Sequence, residues 1–419
     1  MGKRWLLSIA ALVALLAGRA GAQADLAAPI VAEERAYSLE ELTRLADEYN
    51  PILTRDQAQI DFARGQALQA SLYPNPKFDP NNPQVFAGRN SLFYAGVSQE
   101  IVLKGKKQLD TAAATKVVRQ SEVALAQDRF ALYGAVRVQY FRVLAAQKRV
   151  EVLTLLQRIV QQALETGKKL QKAGDVARID TLLLDIDLQK VQADLRKSES
   201  LLDGERKKLA AVVGLPSLRF ATLIGDLDAP LPEFHEEVLR TYVSSRHTAV
   251  RLAGLDVERS RILLRRAEVE PWPNPIVGPA YQYGLQPGAE QFWLYFQCPM
   301  PLWDRNQGNI QSAAAGIRTA SENLRAIQND LLRQASDVLS QHRAARQRVE
   351  KYRNEIIPNL KETQQLAQSG YSKGVFDFAR FLQAQRTVIE TSKDYVDVLE
   401  EFWTTAAQLS ALLQLDSFP

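Results

Sequence analysis

Three observations make this chain a mainly helical protein with a membrane β-barrel share, written twice over. The first is a duplication. Tyr73-Pro74-Asn75-Pro76 recurs as Trp272-Pro273-Asn274-Pro275, and Ala145-Ala146-Gln147-Lys148-Arg149-Val150-Glu151 recurs as Ala344-Ala345-Arg346-Gln347-Arg348-Val349-Glu350. Gly174 with Leu182 matches Gly374 with Leu382, and Leu209–Leu215 matches Leu409–Leu415, at offsets of 199, 199, 200 and 200. A period this long is a duplicated half and not a solenoid unit. The second observation is a pair of proline-poor runs rich in Ala, Leu, Gln, Arg and Glu, each over 60 residues long. The third is a proline-rich, aromatic segment of alternating pattern placed before each run.

The elements follow in order. Lys3 and Arg4, the apolar stretch Trp5 to Ala17 and the small residues Ala20-Gly21-Ala22 have the form of a secretory signal over residues 1–22. Its removal takes three cations from a net charge of +4, leaving 4 − 3 = +1. That balance excludes a strongly basic nucleic-acid binder. The lone Cys298 has no intramolecular partner, so export proceeds without a disulfide framework. The first repeat spans 23–215, opening with a helix from Leu39 to Ser71. Its strand pair lies at about 77–103, and Phe93, Ala95, Val97 and Ile101 alternate with Tyr94, Gly96, Ser98 and Glu100.

The spacing then predicts a helix from Lys106 to Gln171, on the order of 100 Å long at 1.5 Å per residue. Such a length belongs to a coiled coil or a helical tube. A glycine turn, Gly167 to Gly174, leads into a return helix from Ile179 to Val213. Residues 216–232 read as a linker. The second repeat, 233–419, writes the same plan again. It has a helix Glu236 to Val269, a strand pair at about 275–302, a long helix Asn309 to Ser369 kinked at Pro358, a turn Gly370 to Gly374, and a return helix Phe378 to Leu413.

Two strand pairs give four strands, too few to close a barrel, and an open edge is not tolerated in lipid. Several chains must therefore share one barrel, and three supply twelve strands. Trp272, Trp293 and Trp303 sit in or beside the second pair, where an aromatic girdle against outer-membrane lipid belongs.

This plan resembles the TolC-type outer-membrane efflux family over essentially the whole mature chain. Asn50-Pro51-Ile52-Leu53 resembles the opening of the first repeat. Cys298-Pro299-Met300-Pro301-Leu302-Trp303-Asp304-Arg305-Asn306-Gln307-Gly308 resembles the strand-to-helix turn of the CzcC-like metal-efflux branch. Gly374 with Leu382-Gln383-Ala384-Gln385-Arg386 resembles the tip turn. The resemblance implies a homotrimer with a twelve-stranded outer-membrane β-barrel, continued by a long periplasmic α-helical barrel. It implies a periplasmic membrane-fusion adaptor and an inner-membrane pump, the RND type among the candidates, with heavy-metal cations as one cargo class. Gly167, Gly174, Gly370 and Gly374 are then the adaptor-facing tip. The family often carries an acid six positions after each tip glycine; here these are Asp180 and Arg380, a candidate gate pair with opposite charges.

No catalytic constellation, metal site or cofactor motif emerges. His235, His247 and His342 are scattered, and Asp180, Asp185 and Asp187 read as a solvated helix face. The alternatives are a periplasmic coiled-coil or adaptor protein without a pore, and a type I secretion duct for proteins.

Overall fold

In the computed structural model the described residues are 35–80, 87–174, 176–288, 290–372 and 378–419. The signal 1–22 and Gly374 lie outside them. The elements run β1 Arg35–Tyr37, α1 Leu39–Tyr49, α2 Pro51–Ser71, β2 Lys77–Asp79, β3 Leu92–Glu100, α3 Lys106–Ala173 and α4 Arg178–Val213 in the first copy. Then come β4 Phe220–Leu223, α5 Glu236–Ser245, α6 Thr248–Val269, β5 Ile276–Gly284, β6 Gln291–Gln297, α7 Gln307–Lys351, a π-helical turn Tyr352–Ile356, α8 Ile357–Ser372 and α9 Phe378–Leu412.

The helix expected from Leu39 to Ser71 is two helices. Ser38 opens α1 with a reciprocal cap to Glu41. Asn50 then ends α1 and caps α2 through Ile52 N–H, with Pro51 at the first helical position. The Asn50 amide also reaches the end of the return helix, donating to the Val212 carbonyl at 2.9 Å. There Gly214 takes φ 93°, and a Cβ on it would lie 2.8 Å from Asn50 Cα, so only glycine fits. The helix expected from Glu236 to Val269 is likewise two, divided at Arg246-His247, with His247 capping α6 through Ala249 N–H.

The helices that lead to the glycine turns run further than expected. α3 runs on to Ala173 and α8 to Ser372, which leaves Gly167 and Gly370 buried inside helices. Gly174 caps α3 and starts the first turn, at φ 88° with its N–H bonded to Gln171 and Leu170 carbonyls. Thr181 then closes the hairpin by donating to the Gln171 side chain at 2.8 Å.

The bend expected at Pro358 takes the form of the π turn that precedes it. Pro358 offers no N–H to the Asn354 carbonyl and its ring crowds it. The ladder widens instead, and Ile357 N–H bonds the Tyr352 carbonyl five residues back. The linker also has structure: its β4 pairs in parallel with β1. Arg353 in the π turn donates to the linker carbonyls of Leu227 at 2.8 Å and Ala229 at 3.1 Å. The Trp403 indole donates to Leu227 as well, at 2.9 Å.

Three apolar clusters hold the helices. The largest joins the middle of α3 to the ends of α4 and α9 and to the linker, around Val136, Val143, Leu209, Leu399 and Phe402. A second lies toward the hairpin ends around Leu153, Val160, Leu184 and Leu360. The third packs α5 and α6 on α7, through Leu239, Val243, Val250 and Leu339. No helix among the described residues is long and apolar enough to cross a membrane.

Candidate functional site

The strands of both copies form one antiparallel sheet in the order β2-β3-β5-β6, with the copies meeting at β3–β5. Its register sorts the side chains. Phe78 faces Val97, Phe93 faces Tyr283, Ala95 faces Tyr281, and Tyr281, Pro279 and Val277 face Phe292, Leu294 and Phe296. One face is therefore almost wholly apolar, because partners across a ladder share a side of the sheet. Phe292, Leu294 and Phe296 are 74%, 78% and 68% exposed. The opposite face carries Lys77, Asp79, Tyr94, Ser98, Glu100, Gln282 and Gln297, along with the glycines Gly96, Gly278 and Gly284.

Trp293 pairs with Ala280 and so falls on this polar face, between Gln291 and Tyr295. The period of two thus turns its ring away from the apolar face of the sheet. Trp272 and Trp303 flank the strands instead, 55% and 87% exposed. The Lys104 ammonium sits 4.0 Å over the Trp272 ring, and Lys107 sits 3.5 Å over Tyr73, the equivalent residue of the other copy.

Below the sheet a polar joint couples strands to helices. Asn274, from the repeated Pro-Asn-Pro, donates to Glu100 at 2.8 Å and accepts from Leu103 N–H at 3.1 Å. The nearly buried Lys106 donates to the Glu270 carbonyl at 3.0 Å, and Arg266 holds Asp110 at 2.7 Å while also pairing with Glu270. The sequence repeat pointed to Asn274 without revealing that it crosses between copies.

At the other end the return helices α4 and α9 are joined by charge. Arg386 Nε lies 3.0 Å from Asp187, whose carboxylate is only 11% exposed, and Lys393 Nζ lies 2.6 Å from Asp194. Both pairs span 199 residues and are one heptad apart. Asp180, half-buried, and Arg380, exposed, lie about one heptad nearer the tip than the Asp187–Arg386 pair. Asp187, read from sequence as part of a solvated face, is thus a buried, paired group. Among the described residues no group of three or more His, Cys, Asp or Glu side chains is placed to hold a metal ion.

Residues 287–414 match the family described as "Outer membrane efflux protein". Over these residues the chain is similar to the outer membrane efflux proteins. It is 26% identical over 394 residues to the cobalt-zinc-cadmium resistance protein CzcC of Cupriavidus metallidurans, covering 92% of each chain. Among solved structures it superposes on CusC, described in terms of transmembrane channel formation, with a TM-score of 0.76 at 16% identity, covering 90% of this chain and 91% of that one. With the outer-membrane channel OprN the TM-score is 0.74 at 17% identity, covering 90% and 89%. The fold is theirs, a mainly helical chain with a small membrane-type sheet.

Proposed function

We propose that this protein is the outer-membrane exit duct of a tripartite efflux system. It passively conducts what an inner-membrane pump and a periplasmic adaptor deliver. The observation that carries the reading is the two-faced sheet. Its apolar side suits lipid, its polar side suits a water-filled lumen, and its edges β2 and β6 need partners. Three chains of four strands each make a closed barrel of twelve. Repeats 23–215 and 233–419, joined by 216–232 after removal of 1–22, then build one wall of the tube each. The resemblance to CzcC favours divalent heavy-metal cations as cargo, with pump and adaptor choosing among them.

In this reading the tip around Gly174 and Gly374 meets the adaptor, and Asp180 with Arg380 contributes to the closed aperture. Arg380→Asp is expected to raise resting conductance in planar bilayers and shift selectivity toward cations. A charge-swapped Asp180→Arg/Arg380→Asp variant closes again if the two side chains meet. Unchanged conductance in the single variant removes Arg380 from the gate. The duct itself is tested by native mass in detergent together with bilayer conductance. A stable monomer that forms no channel overturns it. Unaltered cobalt, zinc and cadmium tolerance in a deletion strain removes the metal cargo.

A further inference from the structure

Below the π turn the two copies enclose a cavity of about 380 Å³ between α3, α8 and α9. Its walls differ in chemistry. On one side Tyr371 and Phe381 stack, with centroids 4.9 Å apart and ring planes 20° apart. Opposite, α3 contributes Ile159, Ala163 and Leu170. The polar lining is amide and hydroxyl: Gln162, Gln364, Gln368, Gln385 and Thr166. Among the described residues no carboxylate, amine, guanidinium or imidazole lines it. Gln385 is 6% exposed, and its amide oxygen is buried without a hydrogen-bond partner. A buried acceptor left in that state is costly, and a donor supplied by a guest removes the cost.

We propose that this cavity binds a neutral, planar aromatic molecule bearing an N–H or O–H donor. The ring lies along the Tyr371–Phe381 wall and the donor meets Gln385 Oε1. A metal ion is a poor fit, because the described lining offers neutral amide oxygens and no carboxylate, thiolate or imidazole to balance its charge. Gln162 and Gln368 are solvent-exposed, so the cavity is reached between α3 and α8. Volume and lining are those of a small-molecule pocket, mostly apolar with a few convergent polar groups. A guest here ties α3 of the first copy to α8 and α9 of the second. If the duct reading holds, occupancy resists separation of the hairpins and lowers conductance.

The test uses the full mature chain in detergent and 4-fluorobenzamide, followed by fluorine NMR against a detergent-only blank. Saturable broadening, competed by unlabelled benzamide and weaker for fluorobenzene, is expected. Ala163→Phe fills the cavity and should abolish binding. Gln385→Met keeps the shape, removes the acceptor and should weaken binding about fivefold. If Ala163→Phe fails to fold, as read by circular dichroism, Gln385→Met decides alone. No saturable binding to the wild type, or equal binding by wild type and Gln385→Met, overturns the site. A protein that binds the probe but conducts nothing leaves the site standing and faults the duct reading. Conductance without binding does the reverse.

Discussion

The long helices of the two copies carry the same plan to different ends. α3 runs unbroken for 68 residues, whereas its counterpart is divided by a π turn into α7 and α8. The copies are offset by 199 residues at Val150/Val349 and by 200 at Gly174/Gly374, so the second holds one extra residue in between. The π turn falls in that interval. Val150 to Val160 is ten residues and Val349 to Leu360 is eleven, yet Val160 and Leu360 enter the same apolar cluster. A turn one residue wider absorbs the insertion and returns the helix to its face. Pro358 fixes where this happens, and Arg353 ties the spot to the linker. The first hairpin has an unbroken long helix, and the second has a π turn tied to the linker by Arg353.

The largest effect expected of this contrast comes from moving the proline. Arg158→Pro places it at the equivalent point of the straight helix, where no extra residue accommodates it. The loss should be about 3 kcal/mol or more. Pro358→Ala should instead be neutral or gain about 1 kcal/mol, because the flanking π turn already avoids the lost hydrogen bond. Thermal unfolding by circular dichroism compares the two, and equal losses would break the contrast.

Next is the docking of each return helix. Gly214 packs directly on Asn50, whereas its equivalent Gln414, at φ 49°, accepts from Thr248 N–H at 3.1 Å and donates to Thr248 Oγ1 at 2.6 Å. Gly214→Gln must displace Asn50 and should cost about 2–3 kcal/mol. Gln414→Gly loses hydrogen bonds but relieves the backbone, and should cost about 1 kcal/mol. A reversed order in denaturant midpoints would show that the close approach is not what decides.

Acid sharpens the comparison further. His342 stands where the first copy has Val143, and its burial among Phe234, Phe402 and Thr405 holds the imidazole below its ordinary value of 6.5. Such a group binds a proton more readily once unfolded. Its contribution is full above pH 6.5 and is lost as pH falls from there toward the lowered folded value. His342→Val should remove part of the destabilisation between neutral and mildly acid pH and so flatten the pH slope there. An unchanged pH slope of the melting temperature would exclude His342 as a source.

The smallest effects belong to the seam between α4 and α9. Arg386→Ala strands the poorly exposed Asp187 carboxylate and should cost about 1–2 kcal/mol. Lys393→Ala exposes an already solvated Asp194 and should cost at most about 0.5 kcal/mol. Equal costs in thermal melts would mean that burial of Asp187 carries no weight.

Much of this was legible in the sequence, for reasons that are local. The long helices, their return partners and the alternation of Phe93, Ala95 and Val97 depend on period and composition, and both copies wrote them independently. The breaks at Asn50-Pro51 and at Arg246-His247 were read through. In the first case an Asn-Pro signal was available, since the residue before proline leaves the helical region. In the second no breaker was present, and the division reflects docking of Gln414 against Thr248. The π turn left a trace only as a one-residue step in the repeat offset. Trp293 was placed by composition, but its side of the sheet depends on the register with Ala280. The Gln385 cavity and the Asp187–Arg386 contact join segments far apart in sequence, which periodicity within one segment does not report.

The seam between the return helices also explains why two unlike copies differ in kind from one copy used twice. Under the 200-residue offset of this region, the first-copy counterparts of Arg386 and Lys393 are 386 − 200 = 186 and 393 − 200 = 193, that is Ile186 and Ala193. A ring of six identical half-length chains would set Asp187 against isoleucine and Asp194 against alanine, burying a carboxylate with nothing to neutralise it. Covalent fusion frees the two halves to diverge, and the acid is kept on one bank and the base on the other. In the trimer proposed above, the ring's sixfold pseudo-symmetry would be lowered to a threefold, and every second seam would be chemically addressable by itself.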